Sequence, residues 1–281
     1  MRITFWGARG SIPVPGDETA RYGGNTPCVS VENGAGLLVL DAGTGIRRLG
    51  EALTAQGHSG PIDVFLSHAH IDHIHGLPFF APIHDPAANV RIFGPAPGVI
   101  SLHETISRLM TPPLWPAHYA PTAAGLKVTE ITDEVFETDY FSIRKTELRH
   151  PGRTLGYAVS PRGGGPSVNY MTDNELGQWT GVPDWQTKLV GFLQNGEVLI
   201  HDATYGDHEI RDRTGWGHSS ANQAVDLAIA ARVRKLILFH HAPEHRDDEI
   251  DRILAEARRR VAGAGVKLDV DAAAEGLALD L

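Results

Sequence analysis

Six consecutive residues, His68-Ala69-His70-Ile71-Asp72-His73, carry four side chains able to hold a divalent cation, and they follow directly on the apolar run Ile62 to Ser67. A short apolar run of that kind reads as a buried strand, so the four polar groups emerge at one rim of a sheet. An isolated histidine is more often a satisfied polar residue than a ligand. Four imidazole and carboxylate groups at one strand end reverse that expectation. His68 and His70, two apart, leave the strand on one side, and Asp72 and His73 can serve a second ion only if the chain turns sharply between them. Cys28 is the sole cysteine among 281 residues, against 15 histidines. That excludes an internal disulfide framework and a sulfur-held structural zinc, both of which need paired sulfurs.

Other apolar runs end the same way: Leu148-Arg149 leads to His150, Tyr170-Met171-Thr172 to Asp173, and Leu236 to Phe239 leads to His240. The pattern gathers these residues at the rim where an active site would be assembled. Strands are predicted over Ile3–Trp6, Val29–Glu32, Leu37–Asp41, Ile62–Ser67, Phe141–Leu148, Leu155–Ser160, Val168–Thr172, Val198–Asp202 and Lys235–His240, with two short ones at the end. Helices are predicted over Gly45–Gln56 behind a Thr44 cap, over 98–112 as far as Pro112-Pro113, near Trp185–Gln194, and over Ser220–Arg232 and Asp247–Ala262. The proline- and aromatic-rich stretch 111–123 reads as an irregular loop, a lid or an interface. No linker interrupts the chain, so residues 1–281 are expected to form a single domain. Two strand sets, each followed by helices, suit an α/β (α+β) fold, a four-layer αβ/βα sandwich of two mixed β-sheets with helices on the outer faces.

The chain carries 25 Lys+Arg against 34 Asp+Glu, a net charge of −9. Such a charge repels a polyanion at long range. The basic groups Arg232, Arg234, Lys235 and Arg258 to Arg260 are interleaved with acidic residues and read as solvated surface. Met1 to Gly7 lacks the apolar run of a signal peptide, and nowhere do about 18 apolar residues follow one another. The expectation is a cytoplasmic protein with no membrane partner.

The six-residue motif, with His150, Asp173 and His240 following in order, resembles the metallo-β-lactamase superfamily of hydrolases over roughly residues 1–245. Within it the likeness is to the ribonuclease Z and cyclic-nucleotide phosphodiesterase branch, through His201-Asp202-Ala203-Thr204 and His218-Ser219-Ser220. The resemblance implies that His68, His70 and His150 bind one metal, that Asp72, His73 and His240 bind another, and that Asp173 bridges. It also implies that His218, paired with Asp202, protonates the leaving oxygen; Asp202 is one methylene shorter than the glutamate of the family. The loops Gly7-Ala8-Arg9-Gly10-Ser11-Ile12-Pro13 and Tyr22-Gly23-Gly24-Asn25-Thr26 resemble the first-strand loop of the family, where glycines allow backbone close to metal or phosphate.

Two divalent ions, Zn²⁺ first and Mn²⁺ or Fe²⁺ as alternatives, would share a hydroxide that attacks a phosphodiester in line, with Asp72 orienting it. A proton donor matters most for a poor leaving group such as a ribose alkoxide, which favours phosphodiester chemistry. Only residues 151–172 separate His150 from Asp173. That interval holds two strands and a turn but not the basic tRNA-clamping arm of ribonuclease Z. With the negative charge, it points to a small phosphodiester, most simply a cyclic nucleotide. Arg9, Asn25 and Arg153 are candidate substrate contacts. The competing readings are RNA 3′ processing, hydrolysis of a lactone, thioester or β-lactam, and metal binding without turnover. The 111–123 stretch suits a homodimer. His75 reads as a neighbour of the metal set or as a packed residue, and His241 is expected on the opposite side of its strand from His240. His58, His84, His103, His118, His208 and His245 read as surface or loop residues.

Overall fold

The computed structural model describes residues 1–116, 127–177 and 184–281. Strands β1 (Arg2–Gly7), β2 (Cys28–Asn33), β3 (Gly36–Leu40), β4 (Ile62–Phe65), β5 (Val90–Gly94) and β6 (Lys127–Glu130) belong to the first sheet. The second comprises β7 (Val135–Glu137), β8 (Phe141–Leu148), β9 (Thr154–Pro161), β10 (Val168–Met171), β11 (Val198–Asp202), β12 (Lys235–Phe239) and β13 (Asp269–Ala272). The last strand, β14 (Ala278–Asp280), returns to the first. Among the described residues the orders are β14-β1-β2-β3-β4-β5-β6 and β13-β12-β11-β10-β9-β8-β7. Each sheet is mixed: β3 to β6 and β10 to β13 pair in parallel, and the remaining neighbours are antiparallel.

Alternation along single strands explains why their runs are continuously apolar. On β3, Leu38 and Leu40 enter the core between the sheets, whereas Leu37 and Val39 face the outer layer. On β12, Ile237 and Phe239 point inward, and Leu236 and Leu238 outward. Strands covered on both faces must be apolar at every position. Helices α1 (Ile46–Gln56) and α3 (Leu102–Leu109) cover the first sheet, and α4 (Asp184–Leu193), α5 (Ala221–Ala230) and α6 (Asp247–Ala264) cover the second. The result is the four-layer sandwich expected from the sequence. A single-turn helix, α2 (Ile71–Ile74), lies within the histidine motif.

Three local expectations are corrected. Thr44 does not cap α1: its hydroxyl accepts from Thr26 N at 2.9 Å, and Gly45 holds the cap position. The helix expected over 98–112 begins only at Leu102, because the Ser101 side chain accepts from Glu104 N at 3.0 Å and sets the start there. Val99, within the expected helix, is fully exposed. Strands β5, β6 and β7 were not foreseen. Of the 111–123 stretch, 117–123 lies outside the described residues, and with it His118; Trp115 packs edge-on against Phe79, ring centroids 5.1 Å apart.

Candidate metal centre

Parallel pairing brings the carboxyl ends of β3, β4, β10, β11 and β12 to one rim, the end where open α/β sheets place ligands; His150 follows β8 at the same rim. Asp41, Asp173 and His240, at or just past their strands, adopt left-handed backbone with φ of 61°, 53° and 63°. Only a surrounding framework holds non-glycine residues there. The motif leaves β4 at Phe65, so His68 and His70 sit in a loop rather than on a strand, with ring centroids 4.4 Å apart. Helix α2 supplies the sharp turn that separates them from Asp72 and His73.

Nδ1 of His70 lies 3.0 Å from Nε2 of His150. Oδ2 of Asp72 lies 3.3 Å from Nε2 of both His73 and His240. Asp173 stands between the two sets. Its Oδ1 is 4.0 Å from His68 Nε2 and 3.7 Å from His150 Nε2, while its Oδ2 is 3.2 Å from His73 Nε2 and 3.3 Å from His240 Nε2. The donor atoms of His68, His70 and His150 all lie within 4.8 Å of one another, as do those of Asp72, His73 and His240.

The donor set fits divalent cations. Among the described residues His68 Nε2 is buried without a hydrogen-bond partner, which is costly for a polar atom unless something else satisfies it. Burial holds His68, His70 and His150 below the usual imidazole pKa, in the neutral form that ligates metal. Burial alone would raise the carboxyls of Asp72 and Asp173, but the surrounding histidines hold both below the ordinary range. His73 shows the converse: against burial, Asp72, Asp173 and Asp41 draw a proton onto it. The field that retains a proton there would retain a cation.

The ligand candidates are themselves braced. Asp41, which sequence reasoning passed over, accepts from His73 Nδ1 at 2.7 Å, Ser67 N at 2.7 Å, Ser67 Oγ at 2.9 Å and Tyr170 OH at 2.7 Å. His240 Nδ1 is 3.1 Å from Thr204 Oγ1, and His150 Nδ1 is 2.9 Å from Gly217 O. Ser11 N donates to Asp72 Oδ2 at 2.8 Å. Gly10 lies against His240: a Cβ there would stand 2.4 Å from Cε1 of the ring. The shorter Asp202 does reach His218, Oδ2 to Nδ1 at 2.7 Å, and is buried under further bonds from Thr204 and Ser219. Burial would lower the His218 pKa, but Asp202 overrides it and the imidazole is pushed up to about 9.

Arg9 is corrected as a substrate contact. Its guanidinium is wholly buried and donates to Gly23 O at 2.8 Å, His245 O at 2.5 Å and Ala242 O at 3.4 Å, 3.8 Å from Asp247. Asn25 is tied to Glu275 through its backbone N–H and its amide. Arg153 is half exposed, 3.8 Å from Glu147, and is not gathered to the cluster. His75 bonds back to Ile71 O at 2.6 Å and stays outside the cluster. His241 is buried and donates to Ala273 O at 2.9 Å, away from His240. His245, read as a surface or loop residue, lies in the loop before α6 and is buried against Glu209. A cleft of about 310 Å³ reaches His218, bounded also by Glu175 and Arg211. A cavity of about 440 Å³ around Leu53, His58 and Pro82 lies at the other end of the first sheet and includes none of the cluster's residues.

Two mixed sheets in an αβ/βα sandwich, with a buried histidine–aspartate cluster on their shared rim, define a metal-dependent hydrolase of the metallo-β-lactamase fold. Residues 37–241 match the family described as the beta-lactamase superfamily domain, and the chain belongs to it. It is 24% identical to ribonuclease Z of Natronomonas pharaonis, over 88% of this chain and 89% of that one. Among solved structures, unliganded yeast PDE1 superposes with a TM-score of 0.71 at 17% identity, covering 100% of this chain and 99% of that one. The metallo-beta-lactamase fold protein YhfI of Bacillus subtilis superposes with a TM-score of 0.70 at 20% identity, covering 99% of both. The chain thus resembles ribonuclease Z in sequence and yeast PDE1 in fold.

Proposed function

We propose that this protein is a dinuclear phosphodiesterase for small phosphodiesters, most simply cyclic nucleotides. The observation that carries the reading is the buried Asp202–His218 pair at 2.7 Å, with His218 3.9 Å from Asp173. His68, His70 and His150 would hold one cation and Asp72, His73 and His240 the other, with Asp173 offering one oxygen to each. Zn²⁺, Mn²⁺ or Fe²⁺ at those positions would lower the pKa of a water and offset charge building on a phosphoryl oxygen. Asp72, whose Oδ2 accepts from Ser11 N, would be held to orient the attacking water. Asp202 holds the proton on Nδ1 of His218, leaving Nε2 to donate to the departing alkoxide.

Two features support a small substrate. The interval between His150 and Asp173 is taken up by the β9–β10 hairpin, which leaves no room for an RNA-clamping arm. The basic groups of the tail are largely engaged by acidic neighbours: Arg234 pairs with Glu197, Lys235 and Arg258 with Asp271, and Arg260 with Asp226. RNA 3′ processing stays the second reading because the curated relative named above is a ribonuclease Z.

Hydrolysis of a cyclic-nucleotide panel and of bis(p-nitrophenyl) phosphate, with Zn²⁺ or Mn²⁺ and His68→Ala as blank, tests the reading. Turnover of the small diesters is expected. Inertness toward all of them, with salt-dependent cleavage of precursor tRNA, would transfer the assignment to RNA. A homodimer accords with exposed Ile71, Phe79 and Leu114; sedimentation at a single-chain mass would remove it.

A further inference from the structure

Glu175, two residues past Asp173, belongs to none of the expected metal or proton-transfer sets. It lines both the cleft that reaches His218 and a neighbouring one that reaches His150, where an anionic substrate would be repelled unless the carboxylate's charge is already engaged. It is engaged by backbone: Gly215 N donates to Oε1 and Oε2 at 3.0 and 2.9 Å, and Gly217 N to Oε2 at 2.8 Å. Its own N–H donates to Arg149 O at 2.8 Å, adjacent to His150. Gly217 in turn offers its carbonyl to His150 Nδ1 at 2.9 Å. That bond places the proton on Nδ1 and leaves the lone pair on Nε2, the atom 3.7 Å from Asp173 Oδ1 and 3.0 Å from His70 Nδ1, directed into the cluster.

The turn is shaped for this contact. Gly217 has φ +85°, and a Cβ on it would stand 2.1 Å from His150 Nδ1 and 2.5 Å from Pro151 Cδ. His218 is the next residue, so the same turn also sets where the proton donor begins.

We propose that Glu175 is a positioning residue that clamps the Gly215–Gly217 turn, so that the Gly217 carbonyl orients His150 as a ligand of one cation. The inference rests on the two-cation reading of the site. A ligand's hydrogen-bonding partner typically changes metal affinity 10–100-fold when removed, and here Glu175 acts through that partner.

The test titrates apo protein with Zn²⁺ against a chromophoric chelator that resolves two binding steps. Glu175→Ala should weaken one step by about 10- to 100-fold and leave the other as in the wild type, with the thermal transition of the apo protein unchanged. Glu175→Gln, which keeps one acceptor oxygen, should fall between. Activity on bis(p-nitrophenyl) phosphate should drop at limiting Zn²⁺ and recover in excess. Two wild-type binding steps in Glu175→Ala, or equal weakening of both, would overturn the proposal. If that variant does not fold, Gly217→Ala decides: it must show the same selective loss, and intact binding at both sites refutes the clamp. A wild-type protein that binds fewer than two Zn²⁺ would instead refute the two-cation reading.

Discussion

Oδ2 of Asp41 lies 2.7 Å from Nδ1 of His73, and neither side chain is exposed at all. The same oxygen accepts from Tyr170 OH and Ser67 Oγ, so one carboxylate ties β3, the metal motif and β10 of the opposite sheet together. Asp41→Ala would remove the buried acceptor shared by His73 Nδ1, Ser67 N and Tyr170 OH. We expect a stability loss of about 3–5 kcal/mol, the range for breaking a buried charged pair, read by urea unfolding in chelator. Asp41→Asn keeps the shape but not the charge, and should weaken Zn²⁺ binding by about 10- to 100-fold. Wild-type affinity in that variant would mean that Asp41 braces the sheets only.

The Asp202–His218 pair makes stability pH-dependent in a definite direction. With the folded pKa raised to about 9 from an ordinary 6.5, the pair's contribution is fully present below pH 6.5 and is lost as pH rises through 9. The magnitude is on the order of 3 kcal/mol. His73, also raised, acts in the same direction, so the discriminating quantity is the difference between wild type and Asp202→Asn. Urea unfolding of the metal-free proteins at pH 6 and pH 9.5 should show a large gap at the lower pH and a small one at the higher. A pH-independent gap would count against the pair as the source. In the loaded enzyme the same substitution should move the alkaline limb of the rate profile to lower pH.

The rim was legible because apolar runs ending in His150, Asp173 and His240 state both a strand and a ligand in local sequence. The inter-sheet core was legible for the same reason, since β3 and β12 are apolar on both faces. Asp41 was not, because an aspartate after a strand resembles any turn residue, and its partners lie 26, 32 and 129 positions away. Arg9 misled for a related reason. An arginine in a glycine loop looks like an anion contact, and only the fold brings Ala242 and His245 over it, 233 and 236 residues along. Val135–Glu137 carries too few residues for period-two alternation to register, and β5 and β6 lie in a stretch where proline and glycine mask it.

Gly10 tests how closely the first loop approaches the centre. A Cβ there would meet the His240 ring at 2.4 to 3.0 Å, a separation side chains do not tolerate, and the ring is also held by Thr204 Oγ1 at 3.1 Å and stacked with His73 and His218. Gly10→Ala should therefore displace the imidazole and lower Zn²⁺ content toward one ion per chain, measured by atomic emission after gel filtration. Gly263→Ala, on α6 with open space around the new methyl, serves as the control and should keep the full content. Equal content in both variants would show that the loop yields instead.

Arg9 separates a structural from a substrate role. Arg9→Met preserves the aliphatic stem but removes the donors to Gly23, Ala242 and His245 and leaves Asp247 without its buried partner. Removing one side of such a pair typically costs about 3–5 kcal/mol, so the urea midpoint should fall sharply. The KM for a small diester, measured at low temperature where the variant is still folded, should stay within about twofold of wild type, because a wholly buried guanidinium meets no substrate. The opposite outcome, an unchanged midpoint with a raised KM, would return Arg9 to the phosphate-binding role that its place in the glycine loop first suggested.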